Sequence, residues 1–115
     1  MEIIIIKKPI SREILLEMAN DGFGDLVKTV VDVEQKIIAI GGEMHADEEA
    51  VLAEKCGSKR DNIWGINLYP EKSDSEWIEF DSMINIKPQN GNRSRGVDNA
   101  LIQEKIRQII KGLIS

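Results

Sequence analysis

Leu26-Val27-Lys28-Thr29-Val30-Val31-Asp32-Val33, then Glu34-Gln35, then Lys36-Ile37-Ile38-Ala39-Ile40, is the stretch that decides the fold. Two runs rich in β-branched residues flank a short polar break, the pattern of two strands joined by a tight hairpin. Ile37 to Ile40 is apolar throughout, as expected of a strand covered on both faces and central in its sheet.

Upstream, Ile3 to Ile6 reads as a further strand. Ser11 is a good N-cap for the helix that follows, with Ile10 and Leu15 at the staple positions and Pro9 as a breaker. Ile14, Leu15, Met18 and Ala19 are its expected buried stripe, and Asn20-Asp21-Gly22 its end, with the glycine in a left-handed conformation. Downstream, Asp47 to Lys55 reads as a short helix capped by Asp47 and stopped by Gly57. Ile63 to Tyr69 alternates as a strand, with Trp64, Ile66 and Leu68 on one face and Gly65 and Asn67 on the other; Pro70 closes it. Trp77 to Lys87 reads as one bent strand or two short ones. Asp98 is the expected cap of a last helix with the stripe Ile102, Ile106, Ile109 and Leu113, widened by Ile110 and Ile114. The order β-α-β-β-α-β-β-α, hairpins mixed with helices, predicts one α+β domain over residues 1–115. Its sheet is mixed or mostly antiparallel and carries packed helices.

Composition bounds the function. A chain of 115 residues buries about two-thirds of its unfolded surface, enough for one core. The apolar fraction is 42%, carried largely by isoleucine, and argues against disorder. The single Cys56 forms no internal disulfide, and one cysteine with one histidine builds no thiolate zinc centre, so a reducing cytoplasm is the expected compartment. The apolar start is too short for a signal peptide and no run is long enough to span a membrane. A formal net charge of -5 argues against nucleic acid as a partner.

That charge is unevenly spread. Residues 41–54 carry five acids and no Lys or Arg, while residues 82–97 carry Lys87, Arg93 and Arg95 and no acid. In the first stretch, Gly41-Gly42 lets the backbone approach a ligand and delivers Glu43, His45 and Asp47 to the start of a helix. His45, oriented by Glu43 or Asp47, is the one candidate general acid or base. The bland alternative makes Gly41-Gly42 a turn and His45 a polar loop residue. Glu43, His45 and Asp47, with Asp32 or Asp81, also offer mixed metal ligands, but no recognised metal spacing is present, and no metal or cofactor is assigned. In the second stretch, a Gly-rich loop carries Arg93 and Arg95 toward a helix N-terminus, a setting that favours anions. The same arginines have a simpler use in pairing with the acidic stretch. Asn67, Asp81 and Asn85 are disfavoured in strand interiors and fit either an amide-lined pocket or a solvated face.

Three stretches together carry a resemblance: Gly41-Gly42-Glu43-Met44-His45-Ala46-Asp47-Glu48-Glu49, Trp64-Gly65-Ile66-Asn67-Leu68-Tyr69-Pro70, and Phe80 to Pro88 leading into Gly91-Asn92-Arg93-Ser94-Arg95. The chain resembles a small uncharacterised prokaryotic family, a domain of unknown function. The resemblance implies no reaction or cofactor. It implies that Glu43, His45, Asp47, Asn67, Asp81, Asn85, Arg93 and Arg95 belong to the stretches that mark the family.

The leading reading is a polar cleft for a small anionic ligand. Arg93 and Arg95 hold the anion, Asn67 and Asn85 orient the ligand, Asp81 joins them in the binding set, and His45, set by Glu43 or Asp47, serves hydrolysis or proton transfer if the site is catalytic. The competing reading is a non-enzymatic interaction module, whose acidic and basic stretches pair within the fold or across a homo-oligomer, with Trp64 or Trp77 as anchor. The two differ on whether the His45 and Arg95 segments enclose a ligand or only neutralise each other.

Overall fold

Asp32 fixes the hairpin on which the sheet is built. Its carboxylate accepts the N–H groups of Glu34 and Gln35 at 2.9 and 3.0 Å and the Ser58 hydroxyl at 2.6 Å. An aspartate at this position folds the chain back by mimicking a backbone turn. The connection is longer than the two residues expected: Val33 to Lys36 all lie in the turn, and Lys36 takes φ 59°. The strands it joins are β2 (Val27–Asp32) and β3 (Ile37–Ile40), in antiparallel register with Thr29 opposite Ile40 and Asp32 opposite Ile37.

The computed structural model describes residues 2–115. Around the hairpin stand β1 (Ile4–Ile6), α1 (Arg12–Asp21), α2 (His45–Cys56), β4 (Ile63–Leu68), β5 (Ile78–Glu79) and α3 (Ala100–Leu113). The strands form one five-stranded sheet in the order β1-β3-β2-β4-β5, every pair antiparallel. The α+β architecture and the element order are those expected. None of the helices is long and apolar enough to cross a membrane.

Alternation sorts the strands onto two faces. Val27, Val31, Ile38, Ile40, Trp64, Ile66 and Leu68 meet Leu15 and Ala19 of α1 and Ile106, Ile109, Ile110 and Leu113 of α3. Val30, Ile37, Ala39 and Ile63 meet Leu52 of α2 and Ile84. Two helices thus cover one face and a single 12-residue helix the other, a rod of about 18 Å. Part of the second face is left to the segment 81–96.

Several local expectations shift. Ser11 does cap α1, accepting from the Glu13 N–H, but Ile14 is 42% exposed and Gly22 ends the helix at φ -111°, outside the left-handed region. The cap of α3 is Asn99, which accepts the N–H groups of Leu101 and Ile102; Asp98 instead takes the Ser94 hydroxyl. α2 begins at His45, with Met44 as its N-cap, so Asp47 lies within the first turn and caps nothing.

The largest departure lies at 77–87. Only Ile78 and Glu79 pair with β4, opposite Leu68 and Asn67. Ser82 then caps a short 3-10 turn, Met83–Asn85, by accepting the Ile84 N–H. The strand alternation fails because side chains take over the pairing. Asn85 Oδ1 accepts the Gly65 N–H at 2.7 Å, and Nδ2 donates to the Gly65 carbonyl at 2.9 Å. The Lys87 ammonium donates to the Ile63 carbonyl and lies 3.8 Å from the Trp64 ring centroid. The outer edge of β4 is therefore satisfied without a long partner strand, as buried backbone groups require. Close approach here demands glycine: a Cβ on Gly65 would stand 2.5 Å from Ser82 Cβ and 3.1 Å from His45 Cδ2.

Removing the amide leaves a buried donor and a buried acceptor without partners. Asn85→Ala is expected to lower the unfolding free energy by about 2–5 kcal/mol in chemical denaturation. A loss under about 1 kcal/mol would mean that water replaces the clamp at no cost.

Candidate functional site

His45 is the first residue of α2, and its ring turns inward, 9% exposed, against β4. Nε2 lies 2.8 Å from the Ile66 carbonyl. A carbonyl only accepts, so the contact assigns the proton to Nε2 and leaves Nδ1 as the basic nitrogen of the neutral ring. Burial pushes the imidazole below its ordinary value of 6.5; the Ile66 carbonyl opposes that, the Lys28 charge adds to it, and Asp81 and the nearby Asn67 amide pull weakly the other way. The orienting group is therefore a backbone carbonyl. Glu43 and Asp47, expected to set the ring, are both exposed and neither bonds to it.

Beside the ring is a cavity of about 200 Å³. α2 contributes His45, Ala46 and the preceding Met44; β2 contributes Lys28 and β4 contributes Asn67. Asp81, Ser82, Met83, Ile84 and Arg95 close it from the segment that clamps β4. The acidic and basic stretches of the sequence do meet, and they enclose a space. They do so without neutralising each other: Arg95 pairs with Asp81 at 2.7 Å, and Glu49 of the acidic stretch pairs with Arg60.

The walls are held from behind. The Arg95 carbonyl accepts both the Ser82 N–H and Asn85 Nδ2 at 2.9 Å, fixing the backbone of the arginine. Asn92, 4% exposed, donates to the carbonyls of Asn85 and Gly96 at 2.8 Å and accepts the Asp98 N–H. That one amide explains the glycine-, asparagine- and serine-rich loop as a folded turn. The loop does not run straight into a helix, since residues 97–99 intervene before α3. Arg93 is exposed, lies outside the cavity and forms no ion pair among the described residues.

Asn67 and Asn85, similar in sequence context, have different tasks. Asn85 is wholly buried, its amide consumed by backbone, so nothing remains to orient a ligand. Asn67 Nδ2 donates to Glu79 Oε1 at 2.8 Å, and the same oxygen accepts the Tyr69 hydroxyl. A carboxylate only accepts, which fixes the amide orientation. Asn67 Oδ1 is buried without a hydrogen-bond partner. Trp64 and Trp77 are 2% and 5% exposed and belong to the core, which removes them as interface anchors. No group of three His, Cys, Asp or Glu side chains suited to a metal occurs among the described residues, and Asp32 is committed to the hairpin turn.

Sequence reasoning missed Lys28, Ser82, Asn92 and Glu48. Glu48 is wholly buried, on the same inner stripe of α2 as His45 and Leu52. Its Oε2 accepts the Gly42 N–H at 3.0 Å and Oε1 has no partner. Burial pushes the carboxyl up to about 9, only partly offset by Gly42 and Lys28, so the group is neutral at pH 7. The i, i+3, i+7 spacing of His45, Glu48 and Leu52 was the available signal.

The buried acid makes stability depend on pH. The folded chain keeps a proton that the unfolded chain releases above about 4.5, so stability falls as pH rises from there to about 9. Between pH 6.5 and 8, above the His45 range and below that of Lys87, which burial pushes down to about 8, the slope belongs to Glu48. The wild-type chain is expected to lose stability relative to Glu48→Gln, on the order of 1 kcal/mol per pH unit in denaturant titrations. Parallel curves for the two proteins would contradict a neutral Glu48.

Neither a curated protein nor a solved structure matches the chain. The family described as "Protein of unknown function (DUF5674)" matches residues 4–113. With nearly the whole sequence covered by that match, and one domain carrying both the clamp and the cavity, the chain belongs to the DUF5674 family.

Proposed function

We propose that the cavity at the start of α2 binds a small anionic ligand, a phosphate or a carboxylate, and that His45 exchanges a proton with it. What supports the reading is one observation: Lys28, Arg95 and a neutral imidazole line the same 200 Å³ space. A guanidinium offers paired donors to a carboxylate or phosphate, and an ammonium adds a point charge. The volume equals roughly six or seven waters at about 30 Å³ each, the size of a phosphate or a carboxylate of a few carbons.

His45 Nδ1 is the basic atom of the site, with Nε2–H held by Ile66 in the role a carboxylate plays elsewhere. Hydrolysis of an ester or phosphoester, with Nδ1 accepting a proton from water, is the reaction class this arrangement serves.

Titration with inorganic phosphate and with acetate, followed by amide NMR, tests the binding. Saturable shifts are expected at His45, Ser82 and Arg95, and Arg95→Gln is expected to weaken them at least tenfold, the loss of a charge-assisted hydrogen bond of about 1.5–3 kcal/mol. No saturable shift with either anion overturns the proposal. His45→Ala, assayed on a panel of esters and phosphoesters, tests the chemistry separately: unchanged turnover removes the proton-transfer role and leaves the binding role.

A further inference from the structure

The side chains of Met44 and Met83 belong to neither hydrophobic cluster of the core. They are 57% and 64% exposed, among the most exposed large apolar side chains described, and both line the cavity that holds His45. Met44 is the N-cap of α2 and makes no side-chain cap hydrogen bond, although serine, threonine, aspartate or asparagine would serve the helix better there. Met83 opens a 3-10 turn whose buried members are Ile84 and Asn85. Two flexible thioether side chains at a polar opening form an apolar rim, and methionine adapts readily to ligands of varied shape.

The charges inside narrow the head group. Lys28 and Arg95 contribute +2, Asp81 contributes -1, and His45 is neutral, a formal total of +1. One negative charge balances this, which a carboxylate carries throughout the neutral range, whereas phosphate is divided between monoanion and dianion there. Building on the anion-binding reading above, we propose that the ligand is a short-chain aliphatic monocarboxylate, its carboxylate between Lys28 and Arg95 and its alkyl chain between Met44 and Met83.

The chain has four methionines, so methyl-¹³C-methionine NMR reads the rim directly. Acetate, hexanoate and inorganic phosphate are titrated in turn. Hexanoate is expected to shift the Met44 and Met83 methyls while leaving Met18 in place, and to bind at least tenfold more tightly than acetate, each fully buried methylene contributing about fourfold at most. In the double variant Met44→Ser, Met83→Ser, hexanoate is expected to fall to within about threefold of acetate measured in the same protein, the hydrophobic gain being lost. Both residues are exposed, and serine is a better cap than methionine, so the variant retains the fold. Equal binding of acetate and hexanoate to the wild-type chain overturns the alkyl-chain inference and leaves the anion reading standing. Binding of phosphate without either carboxylate overturns the monocarboxylate inference alone. Binding of none of the three overturns the anion reading and this inference with it.

Discussion

The buried backbone of Gly65 must find partners on the side of β4 that no long strand covers. β5 pairs only with Asn67 and Leu68, so the next outward-facing N–H and C=O are met by one side-chain amide, that of Asn85. An amide presents a donor and an acceptor at the spacing a strand would, and it reaches the edge from a 3-10 turn. Everything on the functional face follows from that substitution. The turn places Ser82 over Gly65, the second hydrogen bond of Asn85 Nδ2 fixes Arg95, and the carbonyl of Asn85 anchors Asn92. A continuous β5 in this position would have carried these residues along the sheet edge and left no cavity.

The site is also shaped by what is kept neutral. One helix covers this sheet face, and its inner stripe includes an imidazole and a carboxyl as well as a leucine. Burial discharges both ionisable groups in opposite senses, lowering His45 and raising Glu48, so that the two cations of the cavity face a single carboxylate, Asp81. Were Glu48 ionised, it would sit unpaired in the interior, at a cost of several kcal/mol. Gly42 is the residue that makes room for it, since a Cβ there would lie 2.8 Å from Glu48 Cγ.

Periodicity exposed the parts of the structure that obey periodicity. The β2–β3 hairpin, the Trp64, Ile66, Leu68 face of β4 and the stripe of α3 all appear where the alternation or the helical spacing puts them. It failed at 77–87, where alternating residues suggested a strand but Ser82 and Asn85 compete with the backbone for hydrogen bonds and close a turn instead. The candidate site was legible in its types and its stretches, His45 and Arg95 above all, because glycine and charge asymmetry flag loops. It was illegible in its pairings. Nothing in the sequence distinguishes an asparagine spent on backbone, Asn85, from one with an unpaired oxygen beside a cavity, Asn67. Nor does spacing reveal that Ile66, a core residue, orients the imidazole through its carbonyl.

Asn85 holds segment 81–96 over His45, and the single histidine of the chain reports on this without overlap. The measurement is a pH titration of its ring nitrogens by ¹⁵N NMR, in the wild-type chain and in Asn85→Ala under conditions where both are folded. An Nε2–H tautomer and a midpoint below 6.5 are expected in the wild type, the midpoint moving back toward 6.5 in the variant as the segment lifts and water reaches the ring. A wild-type midpoint at or above 6.5 with mixed tautomers, unaltered by Asn85→Ala, would contradict it.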